Sequence, residues 1–200
     1  MKKLNTPKNK ILLSIIINIV VIAYYIYLGI TTKDLFARSF SIYYVFIVIV
    51  KLFILLFLKE GKKANSKSFY KKAYMFLTII MIVIDLSLIV PMFLMVLYPN
   101  EVKMGIIPAI TIATYTTYKI TIALIHFRKK SEDNAIIRFV KELSVVEAFV
   151  SILMLQHTLI MVNGGMNTDM RVLSSISSAI ILSIVMLFSV INLIKTIKNN

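Results

Sequence analysis

Six runs of roughly twenty mostly apolar residues, 11–30, 40–58, 73–98, 104–127, 139–162 and 173–194, are separated by short polar clusters rich in lysine. Each run is long enough to cross a hydrocarbon core about 30 Å thick as a helix. Strands of a membrane barrel would instead show about ten residues of strict alternation between apolar and polar positions. The pattern predicts an all-α integral membrane protein, a six-transmembrane-helix bundle. The connections are too short to fold alone, so residues 1–200 are read as a single transmembrane domain with no separate soluble domain.

The polar clusters fix an expected orientation. Seventeen Lys and Arg fall in the two tails and in the stretches after the second and fourth runs, whereas Lys33, Arg38, Lys103 and Arg171 occupy the alternate loops. By the positive-inside rule the N- and C-termini are cytoplasmic. The stretch from Lys59 to Lys72 is the longest hydrophilic segment and is expected to meet anionic lipid. Composition agrees with this reading: 59% of residues are hydrophobic, above the 45–50% or so of soluble domains, and mean hydropathy is +0.88. The net charge of +14 would suggest nucleic acid in a soluble protein, but its placement between spans assigns it to membrane orientation, and no nucleic-acid partner is expected. The first run exceeds a signal-peptide core and no small-residue cleavage site follows it, so it is expected to remain as the first span. There is no cysteine, which excludes disulfides and thiolate sites. The Lys-, Ile- and Asn-rich vocabulary points to a bacterial gene of low GC content, hence to a multi-pass protein of the cell membrane.

Four charges lie deep inside the spans: Lys51, Asp85, Lys119 and Glu147. A charge at a helix centre costs about 2.5–3.5 kcal/mol on insertion scales, and such residues face the bundle interior and pair. Lys119 and Glu147 sit at similar depths, about 12–13 Å from the lysine-rich face at the helical rise, on consecutive spans, and are expected to pair. Lys51, near 12 Å, and Asp85, near 18 Å on the same rise, form the second expected pair. Snorkelling of the lysines to the interface is the alternative.

Other polar residues recur at helical spacing. Ser144, Glu147, Ser151 and Thr158 form a polar stripe along one face of the fifth span. Pro91 lies six residues after Asp85 and predicts a kink and a freed Ser87 carbonyl beside that acid. In the fourth span Pro108, Tyr115, Lys119 and His126 share an arc, and the threonines around them are expected to bond their own backbone. Ser175, Ala179 and Ser183 are a small-xxx-small series, read as a helix-packing face within the bundle or between protomers.

No serine-nucleophile context, zincin motif, Walker A loop or potassium filter occurs. His126 and His157 are expected near opposite faces, so no metal site and no cofactor are expected, and an enzyme is not. Two functions remain. The first is a permease or channel-like protein for an ion or small polar solute, in which Glu147 and Asp85 bind a proton or cation and occupancy breaks an ion pair. The alternative is a non-transporting membrane scaffold, sensor or accessory subunit of a membrane complex, with a second copy or another membrane protein as partner.

Overall fold

A computed structural model describes residues 7–64, 67–97, 105–128, 135–164 and 168–198. Among them are seven helices and no strand: α1 (Pro7–Thr31), α2 (Leu35–Ala64), α3 (Lys67–Ser87), α4 (Ile89–Leu97), α5 (Ile106–Arg128), α6 (Ala135–Val162) and α7 (Thr168–Lys198). Five stretches are long and apolar enough to cross a membrane, with α3 and α4 together forming one of them. The sixth, α5, has 23 residues, and its run of threonines and tyrosines dilutes its apolar character. The chain is an all-α bundle of a multi-pass membrane protein.

Its sidedness is the reverse of a soluble protein's. Large apolar side chains lie outside, among them Phe127, Ile107 and Leu187 at 81%, 76% and 62% exposure, while Lys51, Lys119 and Glu147 lie inside at 3–4%. An apolar exterior of this extent marks a surface made for lipid or for another membrane protein.

The helices run past the predicted spans into the polar clusters. α2 continues to Ala64 and α3 begins at Lys67, so most of the stretch from Lys59 to Lys72, expected as a loop, is helix. Lysine and glutamate are good helix formers, so a polar stretch of this composition can continue the helix. α1 begins at Pro7, whose missing N–H is no loss in a first turn. Tyr98 and Met104, the expected end of the third span and start of the fourth, lie outside the described residues.

Two hairpins, α1–α2 and α5–α6, form one part of the bundle, and α7 packs on α3. α6 also meets α2, α3 and α7. In its most apolar stretch 61% of residues are buried, against 17% in α7, so α6 is the central helix and α7 lies at the edge. The third crossing is interrupted at Leu88, whose amide donates to the Asp85 carbonyl at 3.1 Å, three residues back. Pro91 withholds a donor from the Ser87 carbonyl, so the α-helical ladder is not continued there.

The α1–α2 hairpin is closed tightly. Lys33 adopts a left-handed φ of 53°, which reverses the chain. The Arg38 Nε donates to the Gly29 carbonyl at 2.8 Å. A side chain at Gly29 would meet Arg38, with Cγ 2.6 Å and the backbone nitrogen 3.1 Å from the added Cβ. Only glycine lets the two helices approach here.

Candidate functional site

α6 carries Glu147 into the centre of the bundle, where two ammoniums share its carboxylate. The Lys51 Nζ of α2 lies 2.5 Å from Oε1, and the Lys119 Nζ of α5 lies 3.0 Å from Oε2. Asn18 of α1 completes the group: its Nδ2 donates to Glu147 Oε1 at 2.8 Å, and its Oδ1 accepts from Lys119 at 2.9 Å. Lys51 also donates to Ser14 Oγ at 2.7 Å. Eight residues separate Lys10 from Asn18, about 12 Å at the helical rise, the same depth as the three charges. Four helices therefore bring polar groups to one level. The cluster holds two cations and one anion, and burial makes each depend on the others, because an unpaired charge there would lie in hydrocarbon.

Lys119 pairs with Glu147, as depth and adjacency predict. Lys51 does not reach Asp85; it takes the same carboxylate. Helix rotation decides this: the Lys51 ammonium faces α6 across the bundle, while Asp85 faces α7. There the Ser189 hydroxyl donates to Asp85 Oδ2 at 2.5 Å, and the buried Oδ1 has no hydrogen-bond partner among the described residues. Beside this pair a small crevice between α3, α6 and α7 is lined by Thr78, Glu142, Ser189 and Asn192 among apolar residues. At its rim the Tyr74 hydroxyl donates to Glu142 at 2.8 Å, and Arg138 lies 3.5 Å from the same carboxylate.

Ser144, Ser151 and Thr158 are buried with Glu147, but their hydroxyls are engaged locally. Each donates to a carbonyl of its own helix: Val140 for Ser144, Ala148 for Ser151 and Met154 for Thr158. Ser144 also meets His126 Nδ1 at 2.9 Å, and Thr116 donates to the Ser151 carbonyl at 2.9 Å, which binds α5 to α6. On α7, Ala179 and Ser183 are exposed and Ser175 is half-buried, so this series faces outward. The residues α7 turns inward are Ser174, Ser178, Val185, Ser189, Asn192 and Thr196.

A second polar group closes the lysine-poor end. His157 Nε2 lies 2.7 Å from Asp34 Oδ2, and its ring stacks on Phe36 with centroids 3.9 Å apart. Asp34 caps α2 by accepting from the Phe36 amide at 3.0 Å. Burial alone would raise the Asp34 pKa. The hydrogen bond and charge from His157, with the amides of Phe36 and Ala37, outweigh burial and hold it below the usual aspartate value.

Between these groups lie tyrosines. The hydroxyls of Tyr25, Tyr43 and Tyr44 are buried with no hydrogen-bond partner among the described residues. Tyr44 and Tyr115 meet edge to face at 6.3 Å, and the Tyr115 hydroxyl lies 3.5 Å from Asn18 Oδ1. Asn18, Ser14 and Asp34 carry parts of these groups without having stood out in the sequence. The available signal was Ser14 and Asn18 at i, i+4 in an otherwise apolar run, which puts both on one helix face. No group of three or more His, Asp or Glu able to hold a metal occurs among the described residues. Comparison with protein-family models, curated proteins and solved structures finds no match to this chain.

Proposed function

We propose that this multi-pass membrane protein handles an ion at the buried Lys51–Glu147–Lys119 cluster, acting as a small permease or channel-like protein. One observation carries the reading: two ammoniums share one carboxylate. A fastener between helices needs only one cation and one anion. A second lysine adds a charge whose insertion costs about 2.5–3.5 kcal/mol at a helix centre, with no second acid in the cluster to balance it. The arrangement is suited to rearrangement, because any occupant that changes the charge on Glu147 loosens α2 or α5 from α6. Asp85, at the broken third crossing and beside the crevice, is a second protonatable group in this scheme.

The test is flux into vesicles reconstituted with the purified protein, for protons, alkali cations and chloride separately. The parent should pass one of them, and Lys119→Met, which leaves a neutral Lys51–Glu147 pair, should change that flux while the protein remains folded. A folded parent that passes none of them refutes the reading. A scaffold or accessory subunit is the second reading. It is favoured by the near-complete burial of all three charged residues, 3–4% exposed, each of them hydrogen-bonded. On that reading, neutralising all three charges together would leave the protein's role intact.

A further inference from the structure

Three of the four polar side chains that line the crevice between α3, α6 and α7 can offer it nothing but lone pairs. The Thr78 hydroxyl gives its proton to the Tyr74 carbonyl at 2.9 Å. The Ser189 hydroxyl gives its own to Asp85 Oδ2 at 2.5 Å, and the Glu142 carboxylate accepts from Tyr74 on both oxygens at 2.8 Å. A carboxylate has about four lone-pair sites, so Tyr74 leaves room for another partner. The fourth side chain, Asn192, is 8% exposed. Its backbone carbonyl is taken by Thr196, but its side-chain amide makes no hydrogen bond among the described residues, so the amide oxygen is free to join the others. The crevice encloses about 10 Å³, room for one water-sized particle. A water has two protons to donate and would leave some of these oxygens unmet, whereas a cation meets all of them.

Charge points the same way. Asp85 has no ion-pair partner among the described residues, and its buried Oδ1 has no hydrogen bond there. An unpaired buried charge is strongly destabilising. A cation against Ser189 Oγ would lie one hydroxyl away from that carboxylate. Arg138 partly balances Glu142, at 3.5 Å, longer than the roughly 2.7–2.9 Å of a strong charge-assisted bond. One further positive charge therefore restores neutrality. The way in is open at Glu142, whose side chain is 15% exposed and which follows Lys141 of the lysine-rich face.

We propose that this crevice binds one alkali cation of sodium's size, held by Thr78 Oγ1, the Glu142 carboxylate, Ser189 Oγ and Asn192 Oδ1. The donors are all hard oxygens, without nitrogen or sulfur, a set that suits hard cations over transition metals. Three helices supply them, so the bound ion ties α3 and α7 to α6. The site stands whether or not an ion moves at Glu147, because α3 and α7 contribute nothing to that cluster.

The test is binding of radioactive sodium to the purified full chain in detergent, with choline chloride holding ionic strength constant. One sodium per chain, displaced by unlabelled sodium and not by choline, is expected; a folded parent with no displaceable sodium overturns the proposal. Bound sodium should also stabilise the fold. Once it exceeds its Kd, every tenfold rise in sodium should lower the unfolding equilibrium constant about tenfold, read as a rising melting temperature. Thr78→Val and Asn192→Leu each remove one oxygen ligand and should raise the sodium needed about tenfold, the equivalent of one hydrogen bond to a charge. Ser183→Ala, on the exposed face of α7, should bind as the parent does. Parental binding in both inner variants overturns the site, since sodium would then be held elsewhere. Sodium binding without ion flux in vesicles upholds the site and refutes only the ion-handling reading; flux without sodium binding does the reverse.

Discussion

Removing the Glu147 carboxylate should damage the fold more than removing either lysine, because one acid serves two cations. In Glu147→Leu, the ammoniums of Lys51 and Lys119 lose the partners that now lie at 2.5 Å and 3.0 Å. At about 2.5–3.5 kcal/mol for each of the two charges left at a helix centre, the ceiling is about 7 kcal/mol. Snorkelling recovers part of it, but a lysine stem is shorter than the roughly 12 Å to the interface at the helical rise. A loss of about 3–5 kcal/mol is expected, the range for breaking a buried pair. Lys119→Met leaves Lys51 and Glu147 matched and loses charge-assisted hydrogen bonds, so about 1.5–3 kcal/mol is expected. The double variant Lys119→Met/Glu147→Leu still strands Lys51 and should not recover the parent. The triple variant with Lys51→Met should recover most of the loss. The assay is reversible unfolding in detergent or bicelles by titrated denaturant, read by helical circular dichroism. Equal stability of Glu147→Leu and Lys119→Met, or full recovery in the double variant, would refute the shared-carboxylate account.

Asp34 predicts an acid limb. Its carboxylate is held below the usual value by His157 and the α2 amides despite burial, so its contribution is present above the unfolded pKa of about 3.9. That contribution is lost as pH falls through the lower folded value. Unfolding followed from pH 7 to pH 3 should show stability dropping at the acid end, and Asp34→Asn should flatten that drop; an unchanged pH profile would contradict the assignment. Gly29→Ala places a Cβ against Arg38 and should destabilise the α1–α2 hairpin by about 1–3 kcal/mol, seen as a lower melting temperature. An unshifted melt would mean that the helices slide apart without penalty. Ser189→Ala removes the hydrogen bond that the Asp85 carboxylate accepts among the described residues and should cost about 1–3 kcal/mol. Pairing it with Asp85→Leu should restore much of that, and additive losses in the double variant would show that the two side chains do not act together.

The spans and the intramembrane charges were legible in the sequence, and so was the Lys119–Glu147 pair, because depth along a helix can be counted from its charged ends. Rotation about the helix axis was not. A soluble helix shows its inner face by apolar periodicity, but α1 and α2 are apolar on nearly all sides, toward lipid and toward the core alike. The sequence therefore placed Lys51 and Asp85 on neighbouring spans without showing that one faces α6 and the other α7. The same blindness hid Asn18, whose value lies in bridging Lys119 to Glu147 across 101 and 129 residues of chain. Asp34 falls between the expected first and second spans, and His157 was expected only to lie near the face opposite His126. Only folding over a separation of 123 residues makes them a pair.

The polar ties divide the bundle in a way that bears on how it would move. The central cluster joins α1, α2, α5 and α6 through one carboxylate. Asp85–Ser189 joins α3 to α7. Contacts between α2 and α3 at the surface are aromatic, among Phe53, Phe57, Phe69 and Phe76, and such faces slide more readily than hydrogen-bonded ones. Two polar ties cross between the groups: Tyr74–Glu142 from α3 to α6, at the rim of the crevice, and Gln156 Nε2 of α6 donating to Ser177 Oγ of α7 at 2.6 Å. A displacement of the α3–α4–α7 group against the rest would have to break both ties and would open at that crevice, beside the Asp85–Ser189 pair, while the four-helix group stays held by Glu147. Loss of the Glu147 charge would instead loosen the four-helix group from within. The fold thus has two places where a charge change can alter helix packing, and α6 carries an acid at each, Glu142 at one and Glu147 at the other.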